Sequence, residues 1–171
     1  MKDLRSFIRD IPDFPRKGIL FKDITPLLQN ADAFQQAVEG LAALVEGKRF
    51  DCVASIEARG FVFGGALASQ LGIGFVPVRK KGKFPYRTRR NTYTLEYGED
   101  TVEIHDDAFQ SGQRVLVLDD LLATGGTAKA VTQLIESCGA KVECLLFLIE
   151  LAFLKGRAQL NGYEVLSLIR Y

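Results

Sequence analysis

The sequence predicts an α/β fold in which a central, mostly parallel sheet of about five strands carries helices on both faces. Three observations lead to this prediction. Strand-like and helix-like segments alternate along the 171 residues. The run Val115–Leu118 is continuously apolar, which is typical of a strand buried on both faces, and Val142–Ile149 is predicted to be another buried strand. Residues Phe50 to Val78 follow the order strand, helix, strand, as a βαβ unit requires.

Length and composition predict one domain over residues 1–171, because 47% of the residues are apolar and no low-complexity linker interrupts them. Basic residues (22) almost balance acidic ones (21), so neither a nucleic-acid partner nor a disordered acidic tail is expected. The N-terminus lacks an apolar signal segment, and no apolar run approaches the roughly 18 residues that span a membrane. Cys52, Cys138 and Cys144 form no C-x-x-C pair. Reduced thiols in a cytoplasmic protein are therefore expected.

The first half of the chain contains a helix and then the βαβ unit. Apolar residues recur at helical spacing in 31–46, which predicts an amphipathic helix. Short apolar runs predict strands at Phe50–Ile56 and Ile73–Val78. Between these strands, Phe61–Leu71 is predicted to be a helix that ends at Gly72.

The second half adds an antiparallel ribbon, three more strands and a helix. Thr92–Tyr97 and Thr101–His105 alternate in polarity around a Gly98–Asp100 turn, which predicts a two-stranded ribbon. Thr127–Cys138 is predicted to be a helix, and Val165–Ile169 the last strand. Ligands of parallel sheets bind beyond the carboxyl ends of the strands, and the polar clusters of this sequence follow strands in that way.

The most informative cluster follows the strand that begins at Val115. Two consecutive carboxylates, Asp119 and Asp120, are followed by a loop of small residues and then a helix. Free N–H groups and partial positive charge at a helix start favour a phosphate, and glycine lets the backbone approach it. The candidate phosphate-binding residues are Ala123, Thr124, Gly125, Gly126 and Thr127.

The two acids cannot bind phosphate, but they can accept hydrogen bonds from sugar hydroxyls. A ribose 5-phosphate satisfies both halves of the cluster. The alternative is a tight turn with two solvated acids, which is disfavoured because two unpartnered acids at the end of a buried strand are costly. A Walker loop and a dinucleotide fingerprint are excluded, because no lysine follows Gly125 and Gly126 and no G-x-G-x-x-G is present.

Two other segments are candidates for binding a second anionic group. Glu57–Gly60 follows a strand and carries Arg59, whose guanidinium suits a diphosphate, although a surface salt bridge is the alternative. Arg79–Lys83 is densely basic and follows the next strand. Arg79 and Lys83 favour anion binding, while a solvated loop or nucleic-acid contact stays open for the remainder.

The segment 115–127 resembles the phosphoribosyl diphosphate-binding motif of the type I phosphoribosyltransferases: an apolar strand, two acids, then small-Thr-Gly-Gly-Thr. The resemblance implies the type I phosphoribosyltransferase fold. It assigns the ribose hydroxyls and catalytic roles to Asp119 and Asp120, and the 5′-phosphate to Ala123–Thr127. In that family the loop matching Glu57–Arg59 binds pyrophosphate through a non-proline cis peptide. The implied pyrophosphate-binding residues are Glu57, Ala58, Arg59, Arg79, Lys80 and Lys83, some of them reaching a neighbouring subunit of a homodimer.

The proline-rich strip 11–28 resembles the N-terminal hood of the adenine phosphoribosyltransferases. From the residues alone, Phe21 is either a core residue or a stacking platform for a base. The resemblance implies stacking on adenine, with the main chains of Leu20 and Lys22 reading the base edge. Leu121 would cover the other face of the base. The hood would comprise residues 1–30.

The ribbon also fits this family, in which a lid closes over the donor. The lid would be residues 82–105, and its Leu-Glu-Tyr run assigns general acid/base catalysis to Glu96. Without the resemblance, Glu96 is simply a strand carboxylate. His105, the single histidine, is expected to make a structural hydrogen bond.

The implied activity is that of a pentosyltransferase in purine salvage. Adenine and 5-phosphoribosyl 1-diphosphate would give AMP and pyrophosphate, with Mg²⁺ held through the substrate and no direct protein ligand. Two alternatives stay open: a phosphoribosyltransferase for hypoxanthine, guanine or orotate, and a non-catalytic regulator that senses the donor.

Overall fold

A computed structural model describes residues 3–95 and 98–171. Its helices and strands, in chain order, are β1 (Arg9–Pro12), β2 (Leu20–Asp23), α1 (Thr25–Gln29), α2 (Ala31–Leu44), β3 (Cys52–Ile56), α3 (Gly60–Leu71), β4 (Gly74–Lys80), β5 (Thr88–Leu95), β6 (Gly98–His105), β7 (Arg114–Leu122), α4 (Gly126–Ser137), β8 (Lys141–Glu150) and β9 (Val165–Arg170). Short 3₁₀ helices lie at Leu4–Phe7, Ala152–Leu154 and Gly156–Leu160.

The predicted α/β fold is confirmed. Strands pair in the order β5-β6-β4-β3-β7-β8-β9, and the five from β4 to β9 in this order are mutually parallel. The β5–β6 ribbon is antiparallel and continues the same sheet beyond β4, because Arg79 and Lys80 pair with Glu103 and Val102. The ribbon is therefore rooted in the central sheet, which the sequence did not indicate.

The sheet separates two apolar cores, and this explains the continuous apolar runs. Along β8, Leu145 and Phe147 belong to one core, and Cys144, Leu146 and Leu148 to the other. Helix α4 covers the first face, while α2 and α3 cover the second. A strand buried on both sides has no polar face to alternate with, so only its length and β-branched content indicate a strand.

Several element boundaries differ from the predictions. Strand β7 runs through Asp119 and Asp120 to Leu122, so both carboxylates lie within the strand. Gly98–Asp100 form the start of β6 instead of a turn, and they pair with Leu95, Thr94 and Tyr93. The polar ends of these strands are held by main-chain pairing, which an apolar pattern does not reveal.

The N-terminal strip is more regular than its three prolines suggested. Residues 9–12 and 20–23 pair as an antiparallel two-stranded sheet, with Ile11 opposite Phe21. Pro12 ends the first of these edge strands, a place where proline is tolerated. Among the described residues, no helix has the length and apolar character needed to cross a membrane.

Candidate active site

Three polar segments that are far apart in sequence meet at one edge of the sheet. Because β4, β3 and β7 are parallel neighbours, their carboxyl ends lie side by side. Glu57–Gly60 follows β3, Arg79 and Lys80 end β4, and Asp119–Thr127 spans the end of β7 and the start of α4. The edge therefore combines three carboxylates, several cations and a glycine-rich loop.

The loop Ala123–Gly125 leads from β7 into α4, which begins at Gly126. Gly125 has a φ of +87°, a conformation that residues with a side chain seldom adopt. The loop encloses a cavity of about 80 Å³ that is also lined by Asp119 and Phe147. The first N–H groups of α4 have no helical partner, so the loop can donate hydrogen bonds to an anion.

Asp119 and Asp120 are adjacent in β7 and lie in a poorly solvated environment. Asp120 is only 6% exposed, and its Oδ2 lies 2.7 Å from Nη2 of Arg59. The Asp119 Oδ1 accepts a hydrogen bond from the Asp120 N–H at 2.8 Å. Burial raises the pKa of both carboxyl groups, and the neighbouring Asp120 charge raises the pKa of Asp119 further. Donors such as sugar hydroxyls would stabilise the charged forms.

Close backbone packing brings the β3 loop against this acid pair. A Cβ at Gly60 would lie 2.7 Å from Oδ1 of Asp119, so only glycine allows this approach. The hydroxyl of Ser55 lies 2.8 Å from the carbonyl oxygens of both Gly60 and Leu118, which ties β3 to β7. Ser55 is fully buried and was not predicted as a site residue. The one signal for Ser55 in the sequence was the presence of a serine inside an apolar strand.

The candidate pyrophosphate residues fall into two groups. Glu57 accepts hydrogen bonds from Nη2 and Nε of Arg79 at 3.1 and 3.3 Å and from the N–H of Lys80 at 3.0 Å. This guanidinium contact lowers the pKa of Glu57. Arg79 also donates to the Lys83 carbonyl at 2.9 Å. The peptide between Glu57 and Ala58 is cis, as the family resemblance implied.

Arg59 lies apart from that group and faces the acid pair and the hood. It contacts Asp120, as above, and its Nη1 donates to the Lys22 carbonyl at 3.2 Å. Its guanidinium also lies 4.7 Å from the ring centroid of Phe21. Arg59 thus links the candidate base-binding strip to the candidate sugar-binding acids, a role that its position in the sequence did not indicate.

The hood residues lie at the same edge and differ in their exposure. Phe21 is partly exposed and makes an edge-to-face contact with Phe14 at 5.1 Å, so it is not a core residue. Lys22 is 7% exposed, and its ammonium group binds Asp10 at 2.6 Å and lies 3.9 Å from the Tyr171 ring centroid. Leu20 is 48% exposed. Leu121, on β7, is partly buried.

A polar network joins the ribbon to the loop, and it was not predicted from the sequence. The hydroxyl of Tyr93 lies 3.0 Å from that of Thr127 and donates to Asp100 at 3.2 Å. Asp100 also pairs with the ammonium group of Lys80. Tyr93 and Asp100 are directly opposite in the β5–β6 register, so the correct register would have brought them together. Glu96 lies outside the described residues.

The sequence and the fold match a known class of protein. Residues 27–160 match the family model of the phosphoribosyl transferase domain. The sheet with its acid pair and loop at the carboxyl edge is therefore the framework of a phosphoribosyltransferase.

The chain belongs to the adenine phosphoribosyltransferase family. It is 56% identical over 171 residues to the adenine phosphoribosyltransferase of Caldanaerobacter subterraneus subsp. tengcongensis, covering 100% of this chain and 99% of that protein. The crystal structure of the Thermoanaerobacter pseudethanolicus adenine phosphoribosyltransferase superimposes with a TM-score of 0.97 at 56% identity, covering 98% of each chain. The Saccharomyces cerevisiae enzyme, crystallised with an imino-altritol bisphosphate and adenine, gives a TM-score of 0.90 at 41% identity and 96% coverage of each chain.

Proposed function

We propose that this protein transfers the 5-phosphoribosyl group of 5-phosphoribosyl 1-diphosphate to adenine, giving AMP and pyrophosphate. The observation that carries this proposal is the pair Asp119–Asp120, poorly solvated in β7 and followed directly by the glycine loop at the start of α4. One ligand, a ribose 5-phosphate, supplies hydroxyl donors to the acids and a phosphate to the loop. Full-length similarity to adenine phosphoribosyltransferases supports adenine as the acceptor.

In the proposed mechanism, Asp119 and Asp120 hold the ribose hydroxyls and stabilise the positive charge that develops at C1 as its bond to pyrophosphate breaks. Adenine N9 attacks C1 while Phe21 and Leu121 hold the base between them. The main chains of Leu20 and Lys22 read the base edge.

Pyrophosphate leaves toward the cations of the site. The residues proposed to bind it are Glu57, Ala58, Arg59, Arg79, Lys80 and Lys83. Arg79 engages Glu57 and Lys80 engages Asp100, so both cations are already held at the site by carboxylates. Ala58 has no hydroxyl, so its contact with the diphosphate would be through the backbone.

The site also suits a donor-bound Mg²⁺, because carboxylates beside the position of the donor favour a nearby cation without having to ligate it directly. Among residues 3–95 and 98–171, no group of three or more His, Cys, Asp or Glu side chains is placed to hold a metal. We propose that the ion is held through the diphosphate and ribose hydroxyls of the donor. When bound, it would neutralise the leaving group.

The ribbon 82–105 is proposed to act as a lid that excludes water from the donor. The contact between the Tyr93 hydroxyl of the ribbon and the Thr127 hydroxyl of α4 supports this proposal. We further propose that the protein is cytoplasmic and forms a homodimer. The dimer is supported by the exposed apolar residues Val62 on α3 and Phe75 on β4, which are 41% and 37% exposed. Light scattering on the purified protein would test the dimer.

The proposed activity is tested by pyrophosphate release from 5-phosphoribosyl 1-diphosphate and Mg²⁺ with a panel of bases. We expect release with adenine and at least about 100-fold less with hypoxanthine, guanine or orotate, because a site built to pair with one base edge leaves groups unpaired with another. Faster release with a 6-oxopurine or with orotate would assign another acceptor. Donor binding without release with any base would indicate a regulator.

Glu96 is proposed as the general acid/base for the purine nitrogen. We expect Glu96→Gln to lower kcat by about 100-fold to 10,000-fold while donor affinity stays unchanged, since proton transfer contributes an effect of that size. Single-turnover kinetics and calorimetric donor binding would measure the two quantities. Glu99→Gln, three residues along in the same ribbon, is the matched control. Unchanged turnover in Glu96→Gln would remove this assignment and leave the fold untouched.

Phe21 is proposed as the platform on which adenine stacks. We expect Phe21→Ala to raise the KM for adenine by about 5-fold to 100-fold, because stacking of a base on an aromatic ring contributes about 1–3 kcal/mol. The KM for the donor should stay the same. Ile19→Ala is the matched control, because Ile19 belongs to the same hood and is 43% exposed. Equal effects of the two substitutions would contradict a specific role for Phe21.

A further inference from the structure

The phosphate loop, Ala123–Thr127, packs against a second segment that lies more distant in the sequence. After β8, the chain turns through Leu151 and two short 3₁₀ helices to Leu160. The N–H of Leu151 donates to the Leu122 carbonyl at 2.9 Å, so this segment starts beside the end of β7. We call residues 151–160 the backing segment.

Two glycines bring the backing segment and the phosphate loop into direct backbone contact. A Cβ at Gly125 would lie within 3.0 Å of the Gly156 carbonyl oxygen, closer than real Cβ atoms approach other heavy atoms. A Cβ at Gly156 would come equally close to the Ala123 carbonyl oxygen. Because no flexible side chain separates the two backbones, a movement of the backing segment must move the loop.

Arg157 fixes the backing segment to the sheet. Its Nε and Nη2 donate to the two carboxylate oxygens of Glu150, both at 2.7 Å. Its Nη1 donates to the Val165 carbonyl at 2.6 Å, and Nη2 lies 3.2 Å from the Ser167 hydroxyl. A planar guanidinium with this many partners has one defined orientation, which a lysine cannot reproduce.

Glu150 is the buried anchor of this arrangement. It is 2% exposed at the end of β8, and besides Arg157 it accepts a hydrogen bond from Ser167 at 2.6 Å. The guanidinium of Arg157, followed by Ser167, lowers the pKa of Glu150. The Glu150 carboxylate is therefore held in its charged form. The backing segment above it contacts the phosphate loop, but none of residues 151–160 lines the cavity of that loop.

We infer that Arg157 and Glu150 are positioning residues for phosphate binding: they hold Gly156 against Gly125, and so set the direction of the loop N–H groups. The ligand concerned is the 5′-phosphate of the donor and of AMP, so the inference rests on the proposed function. A residue that only stabilised the fold would not discriminate between substrates. A residue that aims the loop should affect phosphate-bearing ligands and leave free adenine unaffected.

The test compares Arg157→Met and Arg157→Lys with wild type by calorimetric AMP binding and by steady-state kinetics. We expect the Kd for AMP and the KM for the donor to rise about tenfold or more, because displacements near 1 Å in a binding site have effects of up to about 100-fold. The KM for adenine should change by less than about twofold. Arg157→Lys keeps a cation beside the buried Glu150, so it provides a second variant if Arg157→Met does not fold.

Arg114→Met is the matched control. Arg114 also donates twice to one carboxylate, that of Asp51, at 2.9 and 3.2 Å, but at the amino edge of the sheet. It should lower the melting temperature without changing the KM for the donor relative to that for adenine. Folded Arg157 variants that bind AMP as wild type does would overturn the inference alone. Wild-type protein that binds no AMP would instead overturn the proposed function.

Discussion

Replacing Gly125 with alanine should raise the Kd for AMP by about 100-fold, since a loop displaced by about 1 Å no longer directs its N–H groups at the phosphate. Two causes add together at this position. Gly125 has a φ of +87°, and an added Cβ would meet the Gly156 carbonyl oxygen within 3.0 Å. That neighbour is backbone, so it cannot turn aside as a flexible side chain would.

A control separates the backbone conformation from the steric contact. Gly112 has a similar φ of +81°, but a Cβ there meets nothing within 4 Å. Gly112→Ala should therefore lose stability by about 1–2 kcal/mol, the cost of a left-handed alanine, and bind AMP normally. Calorimetry and thermal unfolding of both variants would measure this. Similar AMP affinity in the two variants would show that the loop does not hold the phosphate.

Replacing Asp119 with asparagine should lower kcat/KM for the donor by about 100-fold to 1000-fold, the usual effect of removing one group that stabilises transition-state charge. The same change should stabilise the ligand-free protein at neutral pH. Burial and the Asp120 charge raise the folded-state pKa of Asp119 above 3.8, so its protonated form is favoured by folding. Stability is therefore lost as pH rises from about 3.8 through the folded-state pKa.

Thermal unfolding as a function of pH would measure this second effect. Wild-type protein should lose stability over that window, and Asp119→Asn should lose less. Asp51→Asn is the control of opposite sign, because Arg114 lowers the pKa of Asp51 to about 2 and its contribution is lost as pH falls. If both substitutions changed stability in the same direction at neutral pH, the acid pair would not be under electrostatic strain in the absence of ligand.

The sequence predicted the parts of this molecule that local patterns determine. The apolar strand before Asp119 and the glycine loop at Gly125 are contiguous, and their chemistry follows from residue type and order. The end of the helix before Gly72 was also predictable, because glycine is the residue that most often adopts the left-handed conformation after a helix. Gly72 has this conformation, with a φ of +66°. The resemblance implied the cis peptide at Glu57, which no composition or spacing indicates.

Contacts between distant residues were not predictable from the same patterns. From the sequence, Arg59 was assigned to pyrophosphate or to a surface salt bridge, but the strand order places it between Asp120 and Phe21. The pairing of Arg157 with Glu150 depends on how the segment after β8 folds back. Tyr93 and Asp100 depend on ribbon register, and one wrongly placed turn separates them.

Binding of the donor depends on one proposed arrangement: the loop at the start of α4 holds the phosphate, and the acids of β7 hold the sugar. A crystal structure of the protein with AMP tests it most directly. We expect phosphate oxygens about 2.7–3.2 Å from the N–H groups of residues 124–127, and ribose hydroxyls on Asp119 and Asp120. AMP bound with its phosphate on Arg79 or Lys80, and with the loop vacant, would contradict this arrangement.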